Sequence, residues 1–205
     1  TAMKVLKFGG TSLANAERIK HVAELVTRNK GQVIVVLSAV SGTTNSLVKI
    51  ADAYKKSETG KAFEILDALH QKYKKITHNL YAEASVRDQV FGEVASILDS
   101  IRAWEKEAFT EVVEKKILAQ GEIISTNLMT QYLASQGLKP QLLSAFDFMR
   151  IVDKEPDQAY IQEKLTHLIS LYPSNKIFIT HGYVCLNELG EIDNLQRGGS
   201  DYTAS

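Results

Sequence analysis

The sequence predicts an α/β fold, a doubly wound and mainly parallel sheet sandwiched by helices. Three observations carry this. Short β-rich runs and amphipathic helical runs alternate through the chain. The run Gln32-Val33-Ile34-Val35-Val36-Leu37 is almost unbrokenly β-branched, which is how a strand covered on both faces reads. The first strand stops at a glycine pair, as strands do where a sheet presents its carboxyl edge to a ligand.

The elements follow in order. Residues 3–8 (Met-Lys-Val-Leu-Lys-Phe) form a strand, Gly9-Gly10 a tight turn, and residues 15–28 a helix with Ile19, Val22, Ala23, Leu25 and Val26 along one face. Asn15 is placed to cap that helix and Asn29-Lys30-Gly31 to stop it. After the second strand, Ser38-Ala39-Val40-Ser41-Gly42-Thr43-Thr44-Asn45 is a hydroxyl-rich loop leading into a helix over 46–54. Each hydroxyl there could cap a helix or meet a ligand. Residues 55–120 form a helical segment with apolar stripes over 61–81 and 87–109, and the clusters Lys55-Lys56 and Lys72 to Lys75 read as solvated faces. Residues 141–144 read as a strand and 157–172 as a helix with Ile161, Leu165, Leu168, Ile169 and Leu171 inward. Residues 176–180 read as a buried strand and 183–195 as a hairpin turning at Gly190.

Composition narrows the function classes. Twenty-four Lys plus Arg balance twenty-four Asp plus Glu, so no overall field recruits nucleic acid or an anionic membrane, and the expected partners are small molecules. Cys185 is the single cysteine, which excludes an internal disulfide and a multi-cysteine zinc site, and reads as core filler. The five histidines show no metal spacing; His181, at a strand exit, is read as structural rather than as a ligand. Thr1-Ala2 before Met3 reads as a vector-derived remnant, and no apolar stretch is long enough for a signal peptide or a membrane span, so a cytoplasmic protein is expected.

Candidate chemistry gathers at the two ends of the chain and at one position between. In Lys7-Phe8-Gly9-Gly10-Thr11-Ser12 the glycines would let backbone N–H groups approach an anion, and Lys7 supplies a full charge. A Gly-Gly pair can also be only a turn, and neither the Walker A nor the Rossmann pattern is present. Glu122, beside Gly121 in an apolar helical stretch, would be costly to bury without a partner and so invites a cation such as an ammonium, unless it faces outward. At the far end, Arg197-Gly198-Gly199-Ser200-Asp201 again opens a helix. Ser200 or Asp201 could cap it, and Arg197 could hold a carboxylate through two hydrogen bonds.

These segments, with Ser38-Ala39, Thr44-Asn45 and Gly182 in the same order and at these intervals, resemble the aspartate kinases of the amino acid kinase family from Met3 to the end of the chain. The resemblance implies the amino acid kinase (carbamate kinase-like) fold. It implies that Lys7, Phe8, Gly9, Gly10, Thr11 and Ser12 hold the transferring phosphoryl group of ATP, and that Thr44, Glu122 and Arg197 position L-aspartate. Ser38 and Ser200 are further hydrogen-bonding candidates, and Asp201 would orient Lys7 and the reacting groups. It implies transfer of the γ-phosphoryl group to the β-carboxylate, giving 4-phospho-L-aspartate for lysine, threonine and methionine synthesis. Mg²⁺ would be brought with ATP, and the full-length protein would be a homo-oligomer. Gln196, where the family often has glycine, is more similar to the kinase portion of bifunctional aspartokinase–homoserine dehydrogenases. Because the chain stops at Ser205 as a helix should begin, residues 3–205 are expected to be the amino-terminal, amino-acid-binding lobe, with the C-terminal nucleotide-binding part missing. The other readings are an acetylglutamate-type kinase and a non-catalytic amino-acid-sensing module.

Overall fold

The computed structural model describes residues 3–195. The strand β1 (Lys4–Phe8) is followed by a 3₁₀ turn (Gly10–Leu13), α1 (Ala16–Arg28) and β2 (Val33–Leu37). Three helices come next, α2 (Thr43–Lys55), α3 (Thr59–Leu80) and α4 (Ala84–Ala103), then α5 (Glu111–Ser135). The chain returns through β3 (Pro140–Leu143), a small hairpin of β4 (Ile151–Val152) and β5 (Glu155–Pro156), α6 (Gln158–Ser170) and β6 (Ile177–His181). It ends in the hairpin β7 (Val184–Leu186) and β8 (Ile192–Asn194), turning at Gly190 with φ +74°.

The main sheet has the order β1-β2-β6-β3, and all three pairings are parallel. Every residue of β2 is buried, and the pleat sends alternate side chains into two cores. Val33, Val35 and Leu37 join a core with Ile19 and Val26 of α1, Leu47 and Ile50 of α2, Tyr73 of α3 and Leu128 of α5. Ile34 and Val36 join the opposite core with Phe178, Val184 and Cys185, against which Leu165 and Leu168 of α6 pack. Helices on both faces are what a β-branched, unalternating strand requires.

The helical segment is tied in by buried phenols. Tyr54 donates to the Ile101 carbonyl at 2.8 Å and Tyr81 to the Leu128 carbonyl at 2.7 Å, so neither hydroxyl is left unpaired. Asn15 caps α1 as expected, its Oδ1 accepting from the backbone N–H of Arg18 at 2.9 Å. Replacing it, as Asn15→Ala, is expected to cost about 1 kcal/mol of stability, read as a lowered melting temperature with the fold intact by circular dichroism.

Some expectations need correction. The turn after β1 does not run straight into a helix: a 3₁₀ turn intervenes, because the glycine pair and Thr11-Ser12 close locally, with the Ser12 N–H on the Gly9 carbonyl at 3.1 Å. The helix expected over 46–54 starts at Thr43, since Gly42 adopts φ +84° and turns the chain into the helix three residues early. Leu171 is 55% exposed rather than inward, because α6 ends at Ser170 and the chain turns away. Trp104 and Phe109 lie beyond α4, which ends at Ala103.

Candidate functional site

Three strand ends are stapled together at the carboxyl edge of the sheet. The Ser38 N–H donates to the Phe8 carbonyl at 3.0 Å, and the Gly182 N–H to the Leu37 carbonyl at 2.9 Å. The loops leaving β1, β2 and β6 therefore converge on one place. There they line a cavity of about 400 Å³ with Gly10, Thr11, Ser38, Ala39, Ser41, Gly42, Thr44, Asn45, Glu122 and Tyr183.

The sequence chemistry explains how these loops come so close. A Cβ on Gly10 would lie 3.3 Å from the Ala39 carbonyl oxygen, so glycine lets the 3₁₀ turn rest on the β2 loop without the few tenths of an ångström of give that a side chain would demand. Gly9 has open space around it, and of the pair only Gly10 is needed for the approach. A Cβ on Gly121 would stand 2.8 Å from the Ala39 Cβ. Gly121 thus lets α5 seat directly on the loop, where Ser125 donates to the Ser38 carbonyl at 2.8 Å. Gly121→Ala is expected to destabilise the protein by about 1–3 kcal/mol by pushing α5 off the loop, and a melting temperature equal to wild type would refute this packing.

Seating α5 here fixes Glu122. It is 3% exposed and inward, as its apolar surroundings predict, and one oxygen, Oε2, is buried with no hydrogen-bond partner among the described residues. Burial pushes its carboxyl up to about 8, against the opposing effect of its hydrogen bonds from the backbone N–H groups of Glu122 and Ala39. A buried, half-satisfied carboxyl group at a cavity wall is a receptor for a cationic group.

The start of α2 supplies the opposite character. Gly42 contributes no capping side chain, and the first turn of a helix presents unpaired backbone N–H groups with the positive end of the helix dipole. Thr44 lies in that turn and lines the cavity, whereas Thr43 is buried and shares a hydrogen bond of 2.6 Å with the Tyr73 hydroxyl. Of the two threonines, Thr44 faces the site. The α1 N-terminus is taken up by Asn15, so the donors nearest the cavity belong to the 3₁₀ turn and to α2.

The structure therefore brings together Gly10, Thr11, Ser38, Thr44 and Glu122. Lys7, exposed at the end of β1 and level with Val36 of β2, stands at the same sheet edge with Phe8, Gly9 and Ser12 but outside the cavity wall. Arg197, Ser200 and Asp201 lie outside the described residues. Tyr183 was not singled out by the sequence. It lines the cavity with φ +70°, a left-handed conformation that a bulky residue adopts only under constraint, and only its place next to Gly182 could have pointed to it. Lys72, read as solvated, instead donates to the Ser41 carbonyl, and desolvation lowers its pKa.

His181 is structural: its Nδ1 accepts from the Ala145 N–H at 3.2 Å, and burial depresses it to about 4. Cys185 is buried, its thiol pushed up to about 12 by desolvation, consistent with core filler. No group of three or more His, Cys, Asp or Glu able to hold a metal occurs among the described residues, and no helix among them is long and apolar enough to cross a membrane.

The profile of the Amino acid kinase family matches residues 2–205. The chain belongs to the amino acid kinase family. It is 30% identical to lysine-sensitive aspartokinase 3 of Escherichia coli over 208 residues, covering 98% of this chain and 45% of that protein. It is 28% identical to bifunctional aspartokinase/homoserine dehydrogenase 2 of the same organism, covering 97% of this chain and 25% of that protein. The crystal structure of E. coli aspartokinase III in complex with aspartate and ADP superposes with a TM-score of 0.81 at 28% identity, over 99% of this chain and 45% of that one. The chain thus spans less than half the length of these relatives. The doubly wound α/β sheet expected from the sequence is the family's architecture.

Proposed function

We propose that this chain provides the amino-acid-binding half of an aspartate kinase, which transfers the γ-phosphoryl group of ATP to the β-carboxylate of L-aspartate. The observation that carries the reading is the buried Glu122 carboxyl group, with one oxygen unpartnered, in the wall of a cavity otherwise lined by hydroxyls and a helix start. That arrangement suits a small zwitterion: an ammonium on Glu122, and carboxylate oxygens on Thr44, Ser38 and the α2 N-terminus. Relatives named aspartokinase, one of them solved with aspartate and ADP, support the same substrate pair.

In this reading Arg197 and Ser200 complete the carboxylate contacts from beyond the described residues. Lys7 with the Gly9-Gly10 turn holds the γ-phosphoryl group beside the cavity, and Asp201 orients Lys7. A β-carboxylate oxygen attacks the γ-phosphorus as the bond to the ADP oxygen breaks. The carboxylate is already ionised, so no general base is needed and catalysis rests on alignment and charge neutralisation. Mg²⁺ would arrive with ATP and would be held mainly by the nucleotide phosphates, neutralising their charge during transfer.

The test is ATP-dependent hydroxamate formation by the full-length protein, together with calorimetric binding to this chain, across L-aspartate, L-glutamate and N-acetylglutamate. Binding and acyl-phosphate trapping with L-aspartate alone are expected. Preference for either other acid would overturn the substrate, and an N-acetylated acid, which lacks an ammonium, would overturn the role of Glu122.

A further inference from the structure

We propose that α3, which contributes no residue to the cavity wall, is the positioning element of the acid-binding loop, with Lys72 and Tyr73 fixing the first turn of α2 so that Thr44 and the helix N-terminus meet the substrate. The proposal rests on the functional reading above and assigns it a further pair of residues. Neither touches substrate; both act through the loop.

The geometry is specific. The loop between β2 and α2 turns at Gly42, whose left-handed backbone leaves the Ser41 carbonyl outside any helix hydrogen bond. The Lys72 ammonium takes that carbonyl and lies over the turn, 3.3 Å from where a Cβ on Gly42 would stand. One residue along α3, the Tyr73 hydroxyl, wholly buried, shares a 2.6 Å hydrogen bond with Thr43 Oγ1. Thr43 and Thr44 are successive residues of one helical turn, so pinning the first sets the rotation of the second. Burial raises the Tyr73 pKa, and Glu122, when ionised, raises it further. A half-buried lysine whose pKa is depressed by desolvation, bonded to a backbone carbonyl, is costly to keep and does nothing for helix α3 itself.

The device is tested by L-aspartate binding in four single variants and one double variant. Tyr73→Phe and Lys72→Met are each expected to weaken binding about 3- to 10-fold, the worth of one oriented hydrogen bond, and to speed amide hydrogen exchange across residues 38–45. Thr43→Val is expected to match Tyr73→Phe, and the double variant to be no worse than either, because one bond cannot be lost twice. Tyr81→Phe is the control: it removes an equivalent buried phenol bond, to the Leu128 carbonyl, away from the loop, and is expected to lower the melting temperature without moving the affinity. Unchanged affinity in Tyr73→Phe and Lys72→Met, or an equal loss in Tyr81→Phe, would overturn the positioning role while leaving the substrate reading intact. Wild-type preference for L-glutamate, with the same variants weakening it, would overturn the substrate and keep the positioning role. If the wild type holds none of the three acids, both fall.

Discussion

Glu122→Gln is expected to weaken L-aspartate binding about 10- to 150-fold, the worth of a charge-assisted hydrogen bond, while leaving the cavity's shape unchanged. The substitution is nearly isosteric, and the amide oxygen can still accept from the Ala39 N–H, so what is lost is the charge that an ammonium would meet. Because burial raises the carboxyl to about 8, a ligand ammonium must draw the ionised form from a site that is mostly protonated below that pH. Wild-type affinity should therefore fall about tenfold per pH unit below 8, and the variant should show no such slope. Calorimetric titration between pH 6 and 9 measures both, and a flat wild-type profile would refute the assignment.

The same group makes a second, opposite statement about stability. The folded pKa of Glu122 lies above its unfolded value of 4.5, so the folded chain binds the proton more tightly. That contribution is fully present below pH 4.5 and is lost as pH rises through about 8, on the order of 5 kcal/mol across the window. Without ligand, Glu122→Gln should melt with the wild type at pH 5 and above it at pH 8.5. A residue whose replacement stabilises the empty protein at pH 8.5 and weakens binding is one kept for its ligand rather than for the fold.

Lys7→Met is expected to cut phosphoryl transfer by about 10²- to 10³-fold, with L-aspartate affinity held within about threefold. Lys7 sits at the end of β1, one residue before the Phe8 carbonyl that staples the strand to Ser38, and its side chain is exposed and outside the cavity wall. With the fold verified by circular dichroism and aspartate affinity held, lost turnover would report lost charge at the phosphoryl group. Hydroxamate formation and calorimetry on the same preparation separate the two. Turnover at the wild-type rate would remove Lys7 from the proposed chemistry, and unimpaired aspartate binding without turnover in the full-length wild type would favour a sensing module.

What could be read from the sequence was what local chemistry determines. An acidic residue among Ile117, Leu118, Ile123 and Ile124 on one helix has few ways to avoid burial, and Glu122 is buried. Asn15 caps its helix because the capping bond reaches only three residues, to Arg18. The start of α2 was misplaced because Gly42, Thr43 and Thr44 suit a loop as well as a first helical turn; the choice is made by tertiary contacts of Thr43 with Tyr73, thirty residues away. Lys72 looked solvated for the same reason, since its partner Ser41 is remote in sequence. The β4–β5 hairpin is two residues per strand and turns on Asp153 and Lys154, both left-handed, which no periodicity signals. Tyr183 likewise shows its strain only in the folded backbone.

The parallel pairing of β2 with β6 has a kinetic meaning. Val33 lies against Ile177, so the centre of the sheet closes only after β6, far downstream of β2, has been synthesised. Until then β2, apolar on both faces, has one unpaired edge, and the intervening helices must fold around an incomplete sheet. The cavity inherits this order of events: Ser38 comes from the loop after β2, Thr44 from the start of α2, Glu122 from α5 and Tyr183 from the end of β6. A nascent chain lacking β6 has most of the helices but no complete pocket, and ligand can stabilise the protein only after β6 has paired with β2.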